Sequence, residues 1–255
     1  MSDIATLAAH VDEAARTATA IPQLSESSSL SLAEAYDIQT ASIARRLKRG
    51  EKRVGLKMGF TSKAKMVQMG VHDMIWGRLT DGMMVEDGGE IAIGHYVHPR
   101  VEPEIAFLMK APLSGLVSPA QAMAAVGAVA PALEIIDSRY KDFKFSLTDV
   151  VADNSSSSGF VVGPWSRPDQ ELANLGMVMT FDGRPVQIGS SSAILGHPAR
   201  SLAAASRMAA ASGERLEAGW IVMAGGATAA EALRPGVYVQ LEVQNLGTVS
   251  FSVGK

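Results

Sequence analysis

The sequence predicts an α+β protein with a helical N-terminal region and a mainly antiparallel or mixed β core. Helical patterns fill residues 1–53, whereas strand patterns dominate from residue 90 onward. A two-residue turn signal, Asp182-Gly183, joins two strand segments as in an antiparallel hairpin. Helices interrupt the strands at irregular intervals, so strand and helix do not alternate regularly. We therefore expect a helical region over 1–53 and a β-rich domain over 54–255.

Two helices are predicted in the N-terminal region. The first covers residues 3–18, which are alanine-rich and contain no helix breaker. The second begins after Ser31, which can form a capping box with Glu34, and ends near Gly50. Its predicted apolar stripe consists of Leu32, Tyr36, Ile43 and Leu47. Gln39 leaves a polar gap in the middle of that stripe.

The later elements are runs of apolar and β-branched residues bounded by turn residues. Strands are predicted at 54–59, 90–93, 101–109, 132–137, 159–163, 176–182, 185–188, 219–224, 237–243 and 247–253. Further helices are predicted near 62–69, 119–129 and 199–212.

Composition and charge exclude several classes of function. The chain has 255 residues, is 47% hydrophobic and has a formal net charge of −3, which favours a substantial core and argues against a nucleic-acid partner. It contains no cysteine, so disulfides, zinc–thiolate sites and cysteine nucleophiles are excluded. The chain shows neither a signal-peptide pattern nor a membrane-spanning apolar run, and we expect a cytoplasmic protein without a membrane partner.

Glu102 and Glu104 are the most informative residues of the chain. The segment 105–109 that follows them is continuously apolar, which indicates a strand covered on both faces. Because side chains alternate along a strand, both carboxylates point to one face, roughly 6–7 Å apart. Two buried carboxylates require a proton or a cation, and a hard divalent metal binds such oxygens. Pro103 leaves open the alternative of a solvated edge strand.

Two further charged residues lie in apolar surroundings. Glu134, within the apolar segment 131–137, would complete a three-carboxylate site suited to Mg²⁺ or Mn²⁺. Alternatively, Glu134 forms a structural ion pair with Arg100 or Arg139. Lys57 is either a buried acid, base or anion anchor, or a solvated lysine of an edge strand.

Three more segments contain candidate functional groups. Asp81 stands near glycine residues, and by itself such an aspartate is most often a turn residue. The hydroxyl-rich loop 151–159 could present hydroxyls and amides to an anionic ligand, or it could be a flexible polar turn. The Gly-Gly-Ala-Thr loop at 225–228, which includes Thr228, is typical of a loop that donates backbone hydrogen bonds.

Four segments match one known family in order and spacing. They are Gly-Leu-Lys-Met-Gly-Phe-Thr-Ser at 55–62, Pro-Arg-Val-Glu-Pro-Glu-Ile-Ala-Phe at 99–107, Pro-Ala-Leu-Glu-Ile at 131–135 and Val-Ala-Asp-Asn-Ser at 151–155. Together they resemble the 2-oxopent-4-enoate hydratase / 4-oxalocrotonate decarboxylase family of the fumarylacetoacetate hydrolase superfamily, over nearly the whole chain. The reading His-Pro-Arg-Val-Glu-Pro-Glu at 98–104, where hydratases usually have Gln-Pro-Arg-Ile-Glu-Ala-Glu, resembles the decarboxylase branch.

The resemblance implies a fold and a set of site residues. The fold would be a β-roll or sandwich with a helical N-terminal part, residues 54–255 forming the catalytic domain. The implied metal ligands for Mg²⁺ or Mn²⁺ are Glu102, Glu104 and Glu134. Lys57 and Asp81 match active-site positions, and Ser156 matches a substrate-contacting serine. Thr228 is also predicted to contact the substrate.

The resemblance also implies an activity and partners. The expected reaction is metal-dependent decarboxylation of 2-oxo-3-hexenedioate, a small 2-oxo dicarboxylate, to 2-hydroxypenta-2,4-dienoate in aromatic meta-cleavage catabolism. A 2-oxopent-4-enoate hydratase, an acylpyruvate C–C hydrolase and a non-catalytic partner subunit are the alternatives. The expected partners are a 2-oxopent-4-enoate hydratase and further copies of the chain in a homo-oligomer.

Overall fold

The computed structural model describes residues 3–62, 66 and 73–254, which form two β-sheets with five α-helices around them. The helices are α1 (Ile4–Arg16), α2 (Leu32–Lys48), α3 (Pro119–Ala124), α4 (Leu147–Ala152) and α5 (Pro198–Ala211). The helix predicted near 62–69 lies outside the described residues, apart from its positions 62 and 66.

Two helices begin at the predicted capping residues, but one of them ends earlier than predicted. The capping box of Ser31 and Glu34 is present at the start of α2, and Ser118 caps α3. The prediction of a helix over 119–129 is wrong beyond residue 124, because residues from 126 onward pair with a neighbouring strand. Helix α4 was not predicted.

The buried face of α2 differs from the predicted apolar stripe. Leu32 and Leu47 are 44% and 37% exposed, whereas Gln39 is fully buried. The Gln39 amide nitrogen donates to the carbonyl oxygens of Trp76 and Val151, at 3.2 and 2.7 Å. The polar gap in the stripe is therefore the centre of the packed face, because a fully hydrogen-bonded amide can be buried at low cost.

The thirteen strands of the described residues form two sheets. Their bounds are β1 (Arg53–Gly59), β2 (Ile75–Thr80), β3 (Met84–Val85), β4 (Glu90–Ala92), β5 (Arg100–Met109), β6 (Val126–Ile136), β7 (Ser157–Val162), β8 (Gly176–Phe181), β9 (Arg184–Ser190), β10 (Ile221–Met223), β11 (Glu231–Ala232), β12 (Tyr238–Val243) and β13 (Gly247–Gly254). The larger sheet has the order β2-β1-β10-β5-β6-β7-β3, with β11 also paired to β5. The smaller has the order β4-β13-β12-β8-β9. The strands β2, β3 and β11 were not predicted.

The two sheets pack face to face and enclose the main apolar core. Phe107 and Leu133 of the larger sheet belong to one buried cluster with Leu241 and Phe251 of the smaller sheet. The predicted α+β class with a mixed β-sandwich core and N-terminal helices is thereby confirmed. Among the described residues, no helix has the length and apolarity needed to cross a bilayer.

Strand β5 lies inside the larger sheet, so the edge-strand alternative for the glutamate pair is wrong. It pairs with β6 along one side and with β10 and β11 along the other. Pro103 falls between the segments paired to β10 and to β11, where the chain around Ala227 runs beside it. Proline is accommodated there because, on the side of β5 opposite β6, no regular strand partner runs along that interval.

The face of the larger sheet turned away from the sandwich core carries the predicted site. Cross-strand partners share a face, and the register joins Ala106 to Met223 on β10 and Glu134 to Phe160 on β7. Ala106, Phe160 and Met223 form a second, small apolar cluster that also includes Ile43 of α2. Helix α2 thus packs against the face on which the glutamates lie.

Candidate metal and substrate site

Three buried glutamates converge on one point of this face. Glu102, Glu104 and Glu134 each offer a carboxylate oxygen, and these oxygens lie within 4.8 Å of one another. Glu104 and Glu134 are fully buried and Glu102 is 7% exposed. This arrangement brings together the three residues predicted to bind a metal.

The strand register explains the convergence. Glu102 and Glu134 are direct cross-strand partners in the antiparallel pair β5–β6, and Glu104 stands two residues further along β5. Residues that are direct partners, or two apart on one strand, project from the same face of a sheet. Hydrogen bonding between the two backbones therefore holds all three carboxylates at one side of the sheet.

Lys57 extends from β1 toward the same carboxylates. Its register partner on β10 is Met223, whose own partner on β5 is Ala106, so Lys57 shares the face of Glu104. The Lys57 ammonium nitrogen lies 3.1 Å from Oε1 and 3.2 Å from Oε2 of Glu134. Lys57 is 3% exposed, and β1 lies between β2 and β10. The alternative of a solvated edge-strand lysine is therefore wrong.

The alternative ion pairs proposed for Glu134 are absent among the described residues. Arg139 pairs with Asp153, at 2.5 Å between Nε and Oδ1. Arg100 lies over the ring of Phe143, at 4.7 Å from its centroid. Lys57 is the cation that contacts Glu134 within the described part of the chain.

The local electrostatics favour a bound cation. Burial raises the pKa of Glu104 well above its ordinary value, and the neighbouring charges of Glu134 and Glu102 raise it further. Burial also raises the pKa of Glu134, although Lys57 acts in the opposite direction. Oε1 of Glu104 is buried without a hydrogen-bond partner among the described residues. Hard carboxylate oxygens, one of them unsatisfied, fit Mg²⁺ or Mn²⁺, and the three glutamates could hold such an ion.

A glycine-rich segment after β10 closes on the carboxylates. The Gly225 backbone nitrogen donates to Oε2 of Glu104 at 2.7 Å. A Cβ atom added at Gly226 would lie 2.2 Å from Oε2 of Glu102. Gly225 has a φ of +102°, which residues with a side chain rarely adopt. The sequence predicted a backbone-donor loop here, and these two glycines make the close approach to the carboxylates.

A cavity of about 100 Å³ lies beside the glutamates. Its polar lining residues are Lys57, Thr61, Glu102, Ser155, Ser156 and Gly226. Its apolar lining residues are Phe60, Ile75, Ile136, Phe143, Phe145 and Val150. The lining therefore combines polar groups, among them Glu102 of the three glutamates, with apolar side chains.

Ser156 lines this cavity, together with Ser155. Three consecutive residues, Asn154, Ser155 and Ser156, have φ values of 51°, 52° and 60°. Residues other than glycine avoid this left-handed region, and a run of three is unusual. The hydroxyl-rich loop is thus a buried turn rather than a flexible one.

The structure does not bring Asp81 or Thr228 into the cavity. Asp81 is exposed at the end of β2, where its carboxylate accepts a hydrogen bond from the Lys52 backbone nitrogen at 2.9 Å. That contact matches the turn interpretation of Asp81 and not the predicted catalytic contact. The Thr228 hydroxyl donates to the carbonyl oxygen of Ala229 at 2.9 Å. Neither residue lines the cavity within the described part of the chain.

Comparison with known proteins identifies the family of the chain. Residues 56–254 match the family model described as the C-terminal part of fumarylacetoacetate (FAA) hydrolase. The chain is 62% identical to a 4-oxalocrotonate decarboxylase of a Pseudomonas species over 249 residues, which are 98% of this chain and 97% of that protein.

Two further comparisons cover almost the whole chain. The solved structure of 4-oxalocrotonate decarboxylase from Pseudomonas putida G7, complexed with magnesium and adipate, superposes with a TM-score of 0.95 at 40% identity, covering 98% of this chain and 97% of that one. A 2-hydroxyhexa-2,4-dienoate hydratase of Comamonas testosteroni is 34% identical, over 93% of this chain and 92% of the hydratase. The chain belongs to the hydratase and decarboxylase family of the fumarylacetoacetate hydrolase superfamily.

Proposed function

We propose that the protein is a carboxy-lyase that decarboxylates 2-oxo-3-hexenedioate to 2-hydroxypenta-2,4-dienoate and CO₂ in the meta-cleavage degradation of aromatic compounds. The observation that carries this proposal is the buried set of Glu102, Glu104 and Glu134 beside Lys57. The proposal is also supported by the 62% identity between this chain and a 4-oxalocrotonate decarboxylase. The hydratase of Comamonas testosteroni is less similar, at 34% identity.

The electron flow of this reaction requires one place where negative charge is stabilised. The bond to the departing carboxylate breaks, and its electron pair moves through the conjugated double bond to the 2-oxo oxygen, which then takes up a proton. When bound by the three glutamates, Mg²⁺ supplies a Lewis acid for that developing charge. No oxidant or covalent intermediate is needed.

We assign to Lys57 the role of stabilising the negative charge that develops on the substrate. Its contact with Glu134 holds the ammonium group beside the three glutamates, and Lys57 lines the cavity. A charge fixed in a buried site stabilises a transition state more strongly than it would in water. The contact with Glu134 also favours the ionised carboxylate, which metal binding requires.

The remaining cavity residues position the substrate and exclude water. We assign to the Ser156 hydroxyl the role of donating to an anionic substrate group, and Ser155 of the same turn also lines the cavity. The apolar lining residues, which include Phe143 and Phe145, limit access of water to the reacting carbons.

The test is direct. Purified protein is mixed with 2-oxo-3-hexenedioate, and its absorbance and CO₂ release are followed with Mg²⁺ and then with excess EDTA. We expect Mg²⁺-dependent loss of substrate with stoichiometric CO₂. Consumption of 2-hydroxypenta-2,4-dienoate without CO₂ release from the first substrate would instead establish the hydratase. Inactivity on both compounds would contradict the proposal and favour an acylpyruvate C–C hydrolase or a non-catalytic partner subunit instead.

We further propose the organisation and partners of the enzyme. Residues 54–255 form the catalytic domain, because every residue assigned to the metal and substrate belongs to them, and residues 1–53 support it. A cytoplasmic location, a homo-oligomer and a complex with a 2-oxopent-4-enoate hydratase remain predictions. The hydratase complex is supported by chemistry, since a reactive dienol product is best passed to the enzyme that consumes it. Co-purification of the two proteins tests the complex.

A further inference from the structure

The turn that presents the serines to the cavity is held in an unfavourable backbone conformation. Asn154, Ser155 and Ser156 have φ values of 51°, 52° and 60° in succession. Asparagine tolerates the left-handed region, but serine does so at an energetic disadvantage. Such a conformation persists only when surrounding contacts over-determine it, and it is typical of ligand-binding positions.

One set of contacts ties the turn to strand β2. The Asn154 side chain accepts from the backbone nitrogen of Arg78 at 2.8 Å and donates to its carbonyl oxygen at 2.9 Å. These two bonds imitate the pairing of a neighbouring strand. The Ser155 hydroxyl donates to the carbonyl oxygen of Trp76 at 2.8 Å. The side chains of the first two residues of the turn are therefore both hydrogen-bonded to the backbone of β2.

Arg139 holds both ends of the turn. Its Nε and its backbone nitrogen donate to the two carboxylate oxygens of Asp153, at 2.5 and 3.0 Å, and Nη2 donates to the Asp153 carbonyl oxygen at 2.8 Å. Its Nη1 donates to the Ser158 hydroxyl on the other side of the turn. Arg139 is 4% exposed and Asp153 is fully buried. The planar guanidinium thus fixes the residues that flank the three left-handed positions.

Ser156 is the member of the turn whose side chain is available for a ligand. Its backbone is fixed, because its nitrogen donates to the Asp153 carbonyl and its carbonyl accepts from the Asp137 nitrogen, at 2.9 and 2.8 Å. No side-chain hydrogen bond of its hydroxyl is found to the residues within 3–62, 66 and 73–254. Ser156 lines the cavity beside Glu102.

We infer that Arg139 is a positioning residue of the active site, acting through the Asp153–Ser158 segment to hold the Ser156 hydroxyl toward the substrate. This inference rests on the proposed function, because it assumes that the cavity beside the glutamates receives the substrate. A buried ion pair that served only stability would have no effect on ligand binding in the folded protein. The two roles therefore differ in a measurable way.

A double-mutant cycle separates these roles. The variants are Arg139→Lys, Ser156→Ala and the double variant, and the probe is adipate binding in saturating Mg²⁺, measured by calorimetry. We expect Arg139→Lys to weaken adipate binding by about tenfold, because lysine keeps the charge but cannot make the forked contacts. In the Ser156→Ala background, the same change should alter affinity by less than about twofold. Affinity for Mg²⁺ should be the same in all four proteins.

Two outcomes would overturn the inference. An equal loss of adipate affinity in both backgrounds would show that Arg139 does not act through Ser156, and unchanged affinity in Arg139→Lys would show that it has no positioning role. If Arg139→Lys does not fold, Asp153→Asn changes the same contact while preserving shape and enters the cycle in its place. Arg53→Lys, which alters a separate, partly exposed pair with Glu214, is the control.

Failure of the inference is distinguishable from failure of the proposed function. Wild-type protein that neither turns over 2-oxo-3-hexenedioate nor binds adipate with Mg²⁺ contradicts the proposed function. Wild-type protein that does both, with an additive mutant cycle, contradicts only the role of Arg139.

Discussion

Lys57 and Glu134 form a buried ion pair across 77 positions of sequence, with Nζ and Oε1 3.1 Å apart. The pair lies beside two further buried carboxylates, so the described site has more negative than positive groups. A buried site with such an excess of acidic groups is unfavourable without protons or a cation. The site therefore couples folding stability, proton binding and metal binding.

Glu104→Gln should abolish tight metal binding without unfolding the protein. The substitution removes one of the three proposed ligands, and we expect Mg²⁺ affinity to fall by more than about 100-fold, with a parallel loss of turnover. The metal-free variant should be at least as stable as the wild type, because one buried carboxylate with a raised pKa is gone. Calorimetry with Mg²⁺ and thermal unfolding in EDTA measure the two effects.

The matched control for this variant is Glu242→Gln, which changes an exposed glutamate of β12. It should leave both quantities unchanged. Near-normal Mg²⁺-dependent turnover in Glu104→Gln would remove Glu104 from the ligand set.

Lys57→Met should separate catalysis from metal binding. Turnover should fall by about 10²–10³-fold, the loss typical of removing one group that stabilises transition-state charge. Affinity for Mg²⁺ should change by less than about tenfold at neutral pH, because the metal itself compensates the glutamates. Steady-state kinetics and Mg²⁺ titration measure the two quantities. Lys110→Met, at an exposed position, is the control, and an unchanged rate in Lys57→Met would make Lys57 a structural residue.

Stabilisation by Mg²⁺ should increase with pH. The pKa values of Glu104 and Glu134 are raised from 4.5, first by burial. Above pH 4.5 the unfolded chain releases protons that the folded metal-free protein retains, so its free energy of unfolding falls until pH passes the raised pKa values. Mg²⁺ binds the ionised carboxylates and removes this loss.

Urea unfolding between pH 5 and 8, in EDTA and in excess Mg²⁺, tests this dependence. The free-energy difference between the two conditions should grow with pH. Burial raises the pKa of Asp153 to about 7. Because Asp153 is present in both conditions, its contribution to the free energy of unfolding largely cancels in the difference. A difference that is independent of pH would argue against proton–metal linkage at the glutamates.

Gly226→Ala should weaken metal binding through steric displacement of a ligand. The added Cβ would lie 2.2 Å from Oε2 of Glu102, a distance that forces the carboxylate or the loop to move. We expect a loss of Mg²⁺ affinity of at least about tenfold, comparable to disturbing a residue that supports a metal ligand. Gly94→Ala is the control, because among the described residues no atom beyond its chain neighbours lies within 4 Å of its added Cβ. Equal Mg²⁺ affinities in the two variants would contradict the close approach.

The sequence by itself determined the features that depend on local stereochemistry. Alternation along a strand places Glu102 and Glu104 on one face, and the serine caps specify where α2 and α3 begin. The position of Glu134 in an apolar run identified a buried carboxylate that needed a partner. Each of these properties depends on residues close together in sequence.

Only the tertiary structure decided which distant residues meet. Register between β5 and β6 sets Glu134 opposite Glu102, and the insertion of β10 between β1 and β5 carries Lys57 to the same face. Tertiary contacts also hold Ser155 in a conformation that its own propensity disfavours, and they leave Asp81 exposed in a turn. The physical reason is that strand register and buried polar contacts are determined by the packing of the whole chain, whereas local sequence sets only the direction in which each side chain points.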